Sequence, residues 1–341
     1  MRRRKDERGI ALILALLLLV LLVILITQMS ITSLHNRTIS ENHLGDLQNT
    51  YGTRSGYHLA LLFLQADQER GGAVDTLQEK WASPLDVPLG RASVRVTTQD
   101  SERFLNLSQL VNDKGEPVPA AVAQLRRLVR LLRHPPETAD RIIDYIDSDT
   151  RGNFENRARN ERLHGIDELL KVEGLTPEIL YGGKRDGEER KGILEFLTIW
   201  PRPQAAAEGQ PPSAPSLVNV NTAPPEILES LSDKMTAPLA EGIVEFRSRA
   251  GANGLPQPYH RPDDVKQAPG MTDEVYASIA DRLTVKAETF EIKVRSSVGN
   301  VEKSWVYVVR RSSGPKAALT LVGSQRINDF LSVRPPETEE K

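Results

Sequence analysis

From Ile10 to Ile26 (IALILALLLLVLLVILI) the chain holds no polar residue. At about 1.5 Å per residue a helix of this length spans roughly 25 Å, enough to cross a thin bilayer. Arg2, Arg3, Arg4, Lys5 and Arg8 precede the run, whereas Thr27–Ser33 is neutral. The positive-inside rule therefore keeps the N-terminus cytoplasmic and sends the chain outside from about Ser30 onward. A Sec-type signal peptide has the same basic-then-apolar order, but TQMSITSLHNR after Ile26 offers no A-x-A-like pair of small residues, so an anchor is the better reading. Helical spacing continues beyond it. Leu44, Leu47 and Tyr51 share a face, Leu59–Leu64 is dense, and Gly71-Gly72 supplies a stop. Gly45, Gly52 and Gly56 each weaken such a helix by about 1 kcal/mol relative to Ala, which predicts close packing or bends rather than a rigid rod.

Alternation of period two then marks Ala92–Thr98 (Val94, Val96) as a strand, and Thr289–Ser296, Val301–Arg311 and Ala317–Val322 as three more. Val298-Gly299-Asn300 between two of these is a hairpin signal. One early and three late strands predict one small antiparallel sheet on the N-terminal helix, with everything between about Asn106 and Leu283 inserted into it. The insertion repeats itself. Ile166-Asp-Glu-Leu-Leu-Lys-Val-Glu-Gly-Leu-Thr-Pro-Glu-Ile-Leu180 matches Pro262-Asp-Asp-Val-Lys-Gln-Ala-Pro-Gly-Met-Thr-Asp-Glu-Val-Tyr276, and Ala139–Tyr145 matches Ala240–Phe246. Each copy ends in Leu197-Thr-Ile199 or Leu283-Thr-Val285. Helix-hairpin-helix-like units follow, with Gly174 and Gly270 at tight turns and Thr176 and Thr272 capping the next helix. The Pro/Ala-rich stretch Arg202–Ser216 reads as the linker between them.

Length, charge and chemistry narrow this picture. With 341 residues the chain can build two or three domains without staples, and it has no cysteine for disulfides or thiolate metal sites. Net charge is −2; residues 1–9 contribute five basic and two acidic groups, so a chain starting at Ile10 carries −5. A bulk attraction to nucleic acid is absent. The six histidines are scattered, and HExxH, GxSxG and GxxxxGK[ST] do not occur, so the chain is not read as an enzyme.

Gly9, directly before the apolar run, resembles the last leader residue of type IV pilin-like proteins, which prepilin peptidase cuts on the cytoplasmic side. That resemblance makes Ile10 an N-methylated mature N-terminus. Most such proteins carry Glu at the fifth mature position; here it is Leu14, and a neutral residue there is similar to the protein K family of type II secretion systems. The match extends through Trp81, Asp100…Phe104-Leu105-Asn106-Leu107, Asp144–Asp149, Glu168–Gly174 and Val218–Pro224. It implies an α+β pseudopilin fold: a long membrane-spanning N-terminal helix and a small antiparallel sheet, with a large all-α insertion of two helix-hairpin-helix/SAM-like modules. The implied segments are a leader at 1–9, the helix at 10–72, the sheet at 73–105 and 286–325, a first module at 106–201, a linker at 202–216, a second module at 217–285 and a flexible tail at 326–341. The resemblance further implies a minor pseudopilin in the bacterial inner membrane, its bulk periplasmic. Such a protein joins other minor pseudopilins in a heterotrimeric tip complex, meets the major pseudopilin, and caps and primes the pseudopilus. Tyr145 stands where the family usually has Trp, and Arg151–Arg157 replaces its usual sequence after the acidic run.

Asp144, Asp147 and Asp149, followed by Asn153, Glu155 and Asn156, form an oxygen-rich loop suited to calcium, which takes six to eight oxygen ligands. The second repeat has Glu245, Ser248 and Ala250 at the positions equivalent to the three aspartates, so the fold itself does not demand the carboxylates. The loop is not an EF-hand, since Arg151 and Ala158 occupy ligand positions. Arg151, Arg157 and Arg159 offer a rival reading as solvated ion pairs. Helix-hairpin-helix units also suggest a membrane-anchored DNA-uptake protein. Against that, Glu173-Gly-Leu-Thr176 and Pro269-Gly-Met-Thr272 lack a Gly-x-Gly turn, and Glu178, Asp273 and Glu274 at the next helix start would repel phosphate.

Overall fold

The computed structural model describes residues 3–70, 72–156, 158–185, 188–202, 217–250, 256–312 and 318–327. Its elements run α1 (Arg3–Glu69), β1 (Leu85–Leu89), β2 (Ala92–Asp100), β3 (Leu105–Asn106), α2 (Pro119–Leu131), α3 (Glu137–Ile146), α4 (Pro177–Tyr181), β4 (Gly182–Arg185), β5 (Glu188–Lys191), β6 (Leu197–Thr198), β7 (Val218–Asn219), α5 (Pro225–Ser230), α6 (Ala237–Ser248), α7 (Asp273–Ala277), β8 (Leu283–Thr284), β9 (Thr289–Val298), β10 (Val301–Arg311) and β11 (Leu319–Ile327).

Helix α1 is continuous across its glycines, and the reason lies in the sheet. A Cβ on Gly56 would stand 2.5 Å from Val294 Cγ1, and one on Gly52 would stand 2.2 Å from Ser296 Oγ. The glycines therefore let α1 lie close against the sheet. Gly45, Asn49, Gly52, Thr53, Gly56, Ala60 and Leu64 are buried on that side, spaced three and four apart as one helical face requires. Leu44, Leu47 and Tyr51, the apolar face read from the sequence, point outward instead. Small residues make the close part of the intramolecular contact, with Leu64 buried at its end and Tyr57 stacked on Tyr307 at 4.6 Å.

The sheet is antiparallel in the order β1-β2-β9-β10-β11. Strands β9 and β10 turn on Gly299, whose φ of 57° sits at the first of two central positions, as a tight hairpin needs. Strand β1 escaped the alternation reading because it is short and contains Pro88; it lies at the edge, where a missing N–H is tolerated. Strand β11 runs to Ile327, two residues into the stretch read as tail. Most of the linker (203–216) and the rest of the tail (328–341) lie outside the described residues. Val94, Val96, Phe290, Ile292, Val294 and Val309 pack with Ala60 and Leu64 into one core, closed by Trp81 edge-to-face on Phe290 at 5.1 Å.

The insertion departs from an all-α plan. Each repeat is tied at its ends by a two-residue parallel pair, Leu105-Asn106 with Leu197-Thr198 and Val218-Asn219 with Leu283-Thr284, and β4 and β5 add a small hairpin. The segments Ile166–Lys171 and Pro262–Gln267 are 3₁₀ turns rather than α-helices, being too short to close a stable α-helical nucleus. Gly174 and Gly270 take φ of 84° and 78° at the predicted turns. The Thr272 hydroxyl accepts the Val275 amide at 3.3 Å, whereas Thr176 makes no side-chain cap. The two repeats share one continuous apolar core. Buried polar contacts stitch it: Arg127 donates to the Ser230 and Leu231 carbonyls at 2.7 and 2.8 Å, and Gln124 to Ser230 Oγ at 3.2 Å.

Candidate functional sites in the apolar stalk and the acidic loop

Gly9, Ile10 and Leu14 all lie within α1. Every residue from Ile10 to Leu44 is exposed, so at about 1.5 Å per residue some 50 Å of helix projects before the sheet begins to cover it. Its N-terminal part is long and apolar enough to cross a membrane, with none of that window buried in the protein. Leu14 is 60% exposed and surrounded by aliphatic side chains. A carboxylate there would cost several kcal/mol in hydrocarbon without a partner.

The acidic loop follows the C-terminal end of α3. Asp144, on the helix, turns its Oδ2 to accept the Phe154 amide at 2.9 Å. The chain passes so near that a Cβ on Gly152 would fall 2.0 Å from Asp144 Oδ2, so this position needs glycine. Asp147, Asp149 and Glu155 converge, with one carboxylate oxygen of each within 4.8 Å of the others. Asp149 Oδ1 accepts the Arg151 amide at 2.8 Å and Glu155 Oε1 the Gly152 amide at 2.9 Å. Asp147 is only 5% exposed, and its Oδ1, like Glu155 Oε2, is buried with no hydrogen-bond partner. Burial first, then the charges of Asp149, Glu155 and Asp144, push the Asp147 carboxyl up to about 6.

The rival reading by ion pairs finds little support among the described residues. Arg159 pairs with Glu168 and Glu161 rather than with the aspartates, Arg151 engages Asp149 through its backbone, and Arg157 lies outside the described residues. Asn153 is exposed. The loop thus gathers three of the six predicted oxygen donors, uses a fourth, Asp144, to fix its path, leaves Asn153 and Asn156 exposed, and leaves buried carboxylate oxygens unsatisfied. An all-oxygen donor set of this kind fits a hard cation.

The Asn-rich segment at Val218 does more than cap. Asn219 donates to Asp100 Oδ2 at 2.8 Å and to the Asp75 carbonyl at 3.2 Å, and Thr222 Oγ1 donates to the same Asp100 oxygen at 2.6 Å. Asp100 Oδ1 takes the Glu102 amide at 2.7 Å. This buried hub joins the second repeat to the end of β2. Sequence reading missed it because its partners lie more than a hundred residues apart.

Two family models, both described as Type II secretion system (T2SS), protein K, match residues 103–181 and 218–286. A curated relative from Escherichia coli (strain K12), described as a type II secretion system protein K, is 27% identical over 198 residues; these are 51% of this chain and 60% of that relative. The chain therefore matches about three-fifths of the relative's length. Among solved structures, the crystal structure of the GspK-GspI-GspJ complex from the type 2 secretion system of enterotoxigenic Escherichia coli holds a chain that superposes with a TM-score of 0.60 at 21% identity. The superposition covers 86% of this chain and 99% of that one.

Proposed function

This chain belongs to the type II secretion system protein K family, and from that premise we propose that it is the minor pseudopilin that caps a periplasmic pseudopilus and primes its assembly. Prepilin peptidase removes residues 1–9 after Gly9, and Ile10 becomes the N-methylated start of a single-pass inner-membrane anchor with a periplasmic head. The solved complex holds a GspK beside a GspI and a GspJ; by analogy, two further minor pseudopilins are this chain's partners, with the major pseudopilin below them.

The observation that carries this reading is the chain's uneven build. A bare helical stalk ends in a small sheet, and the connection between β2 and β9, from Ser101 to Glu288, is itself a packed two-repeat body. In a filament of repeating subunits every copy must accept neighbours above and below, and an insertion of that bulk has room only at the end. Leu14 agrees, because a terminal subunit has no amine above it to pair with a carboxylate. The test is intact mass of the protein extracted from a host that has prepilin peptidase. A chain starting at methylated Ile10 is expected, and an uncleaved chain would reduce the protein to a plain anchor.

In the acidic loop, Asp147, Asp149 and Glu155 are the proposed calcium ligands. The buried oxygens Asp147 Oδ1 and Glu155 Oε2 fit such an ion, Asp144 positions the loop, and Asn153 is available from the surface. Calcium there would supply charge neutralisation and hold the loop on α3. Its removal by chelation is expected to lower the thermal midpoint of wild type by more than that of Asp147→Asn; equal loss in both would refute it.

A further inference from the structure

A second gathering of carboxylates lies where α1 meets the sheet. Asp67 from the last turn of α1, Asp75 from the following loop and Glu79 before Trp81 each bring one oxygen within 4.8 Å of the others. Asp75 is completely buried. Its Oδ2 receives Arg311 and the Ala287 amide, the latter at 2.7 Å, while its Oδ1 has no hydrogen-bond partner, and neither has Asp67 Oδ2. Glu79 Oε2 takes the Trp81 indole N–H and the Thr76 amide. Arg311 also stands 3.6 Å from Asp67.

Charge and geometry both leave something wanting. Three carboxylates face one buried guanidinium, a balance of −2 when all are ionised. Asp67 and Glu69 fall in the final turn of α1, which has no basic residue, so they stand at the negative end of a helix, where acidic groups are disfavoured. Arg70 and Lys286 ease only Asp67. Burial first, then Asp67 and Asp75, push Glu79 up to about 7; burial first, against Arg311, pushes Asp75 up to about 6.

We infer that Asp67, Asp75 and Glu79 form a second divalent-cation site, separate from the acidic loop, that locks the end of α1 onto the sheet. Two positive charges cancel the excess. The donors are oxygens alone, with neither His nor Cys, which selects a hard ion. Three carboxylates from two elements and a loop, without regular geometry, suit calcium, which takes six to eight oxygens flexibly, better than magnesium, which demands a near-ideal octahedron and dehydrates reluctantly. The partial exposure of Asp67 and Glu79 leaves a way in.

Trp81 makes the site testable, because its indole touches a proposed ligand. The full chain in detergent micelles, carrying Asp147→Asn and Asp149→Asn to silence the loop, is titrated with terbium as a calcium stand-in under tryptophan-selective excitation. Sensitised emission that calcium displaces is expected. Trp81→Phe should remove the emission while calorimetry still detects calcium. Glu79→Gln, and independently Asp67→Asn, should weaken calcium at least tenfold, with circular dichroism showing both folded. No sensitised emission, emission that survives Trp81→Phe, or unchanged calcium affinity in both folded variants would overturn the inference.

Discussion

Gly56→Ala pits two effects of similar size against each other, and the packing of α1 decides between them. In an exposed helix the change gains about 1 kcal/mol from propensity and from the lost backbone freedom of the unfolded chain. Here the new methyl would stand 2.5 Å from Val294 Cγ1 and 3.0 Å from both Val94 Cγ1 and Val96 Cγ2. All three neighbours are β-branched, at most 1% exposed and seated on two paired strands, so none can swing aside. Overpacking costs about 1–3 kcal/mol, and three rigid neighbours at 3.0 Å or less put this site in the upper part of that range, so the propensity gain is outweighed and the net loss is up to about 2 kcal/mol. Gly45→Ala is the control. Its Cβ meets Val301, at 3.3 Å at the nearest, and the Val298 carbonyl at 3.9 Å, at the hairpin end of β9 and β10, so propensity should win there and stabilise by up to about 1 kcal/mol. Guanidinium unfolding of the full chain in micelles, followed by tryptophan fluorescence, reports on this core through Trp81 against Phe290. Gly45→Ala should unfold at higher denaturant than wild type and Gly56→Ala at lower. Stabilisation by Gly56→Ala would refute the claim that the glycine serves close approach.

Gly152→Ala should weaken calcium binding at the acidic loop as strongly as Asp144→Asn does, because the methyl would occupy the space of the Asp144 carboxylate; calorimetry showing wild-type affinity would contradict it. Asp100→Ala should cost on the order of 3 kcal/mol, since it leaves Asn219, Thr222 and the Glu102 amide without a shared acceptor in a buried hub; denaturant unfolding measures it. A raised carboxyl value means that the folded chain holds its proton to higher pH than the unfolded one. The stability tied to Asp147 is therefore full below about pH 4 and is lost as pH rises through about 6. In chelator, thermal midpoints should fall across that window in wild type, and the Asp147 share of the fall should vanish in Asp147→Asn.

The parts of this molecule that were legible in its sequence are those whose signal is local. Ile10–Ile26 declares a span by composition, and Val94, Val96 and the Gly299 turn declare strands by alternation and backbone freedom. The repeat exposed both tight turns at Gly174 and Gly270. Strand β1 was hidden because Pro88 argues against a strand unless the edge position is known. Leu44, Leu47 and Tyr51 could be grouped on one face, but not which face the sheet would cover, whereas Gly45, Gly52 and Gly56 already pointed to the close packing that the sheet uses. Asp144, Asp147 and Asp149 could be found as a run, but the unsatisfied oxygens that give the loop its chemistry depend on how Gly152–Glu155 folds back. Asp67, Asp75 and Glu79 left no motif, since the groups that bury and oppose them, Arg311 and Ala287, arrive from the far end of the chain.

The tip position itself is best tested by electron microscopy of assembled pseudopili bearing a gold-labelled epitope on the exposed face of the helical head. One label per filament, at the end distal to the membrane, is the predicted image. Labels spaced at regular intervals along the shaft would contradict the account.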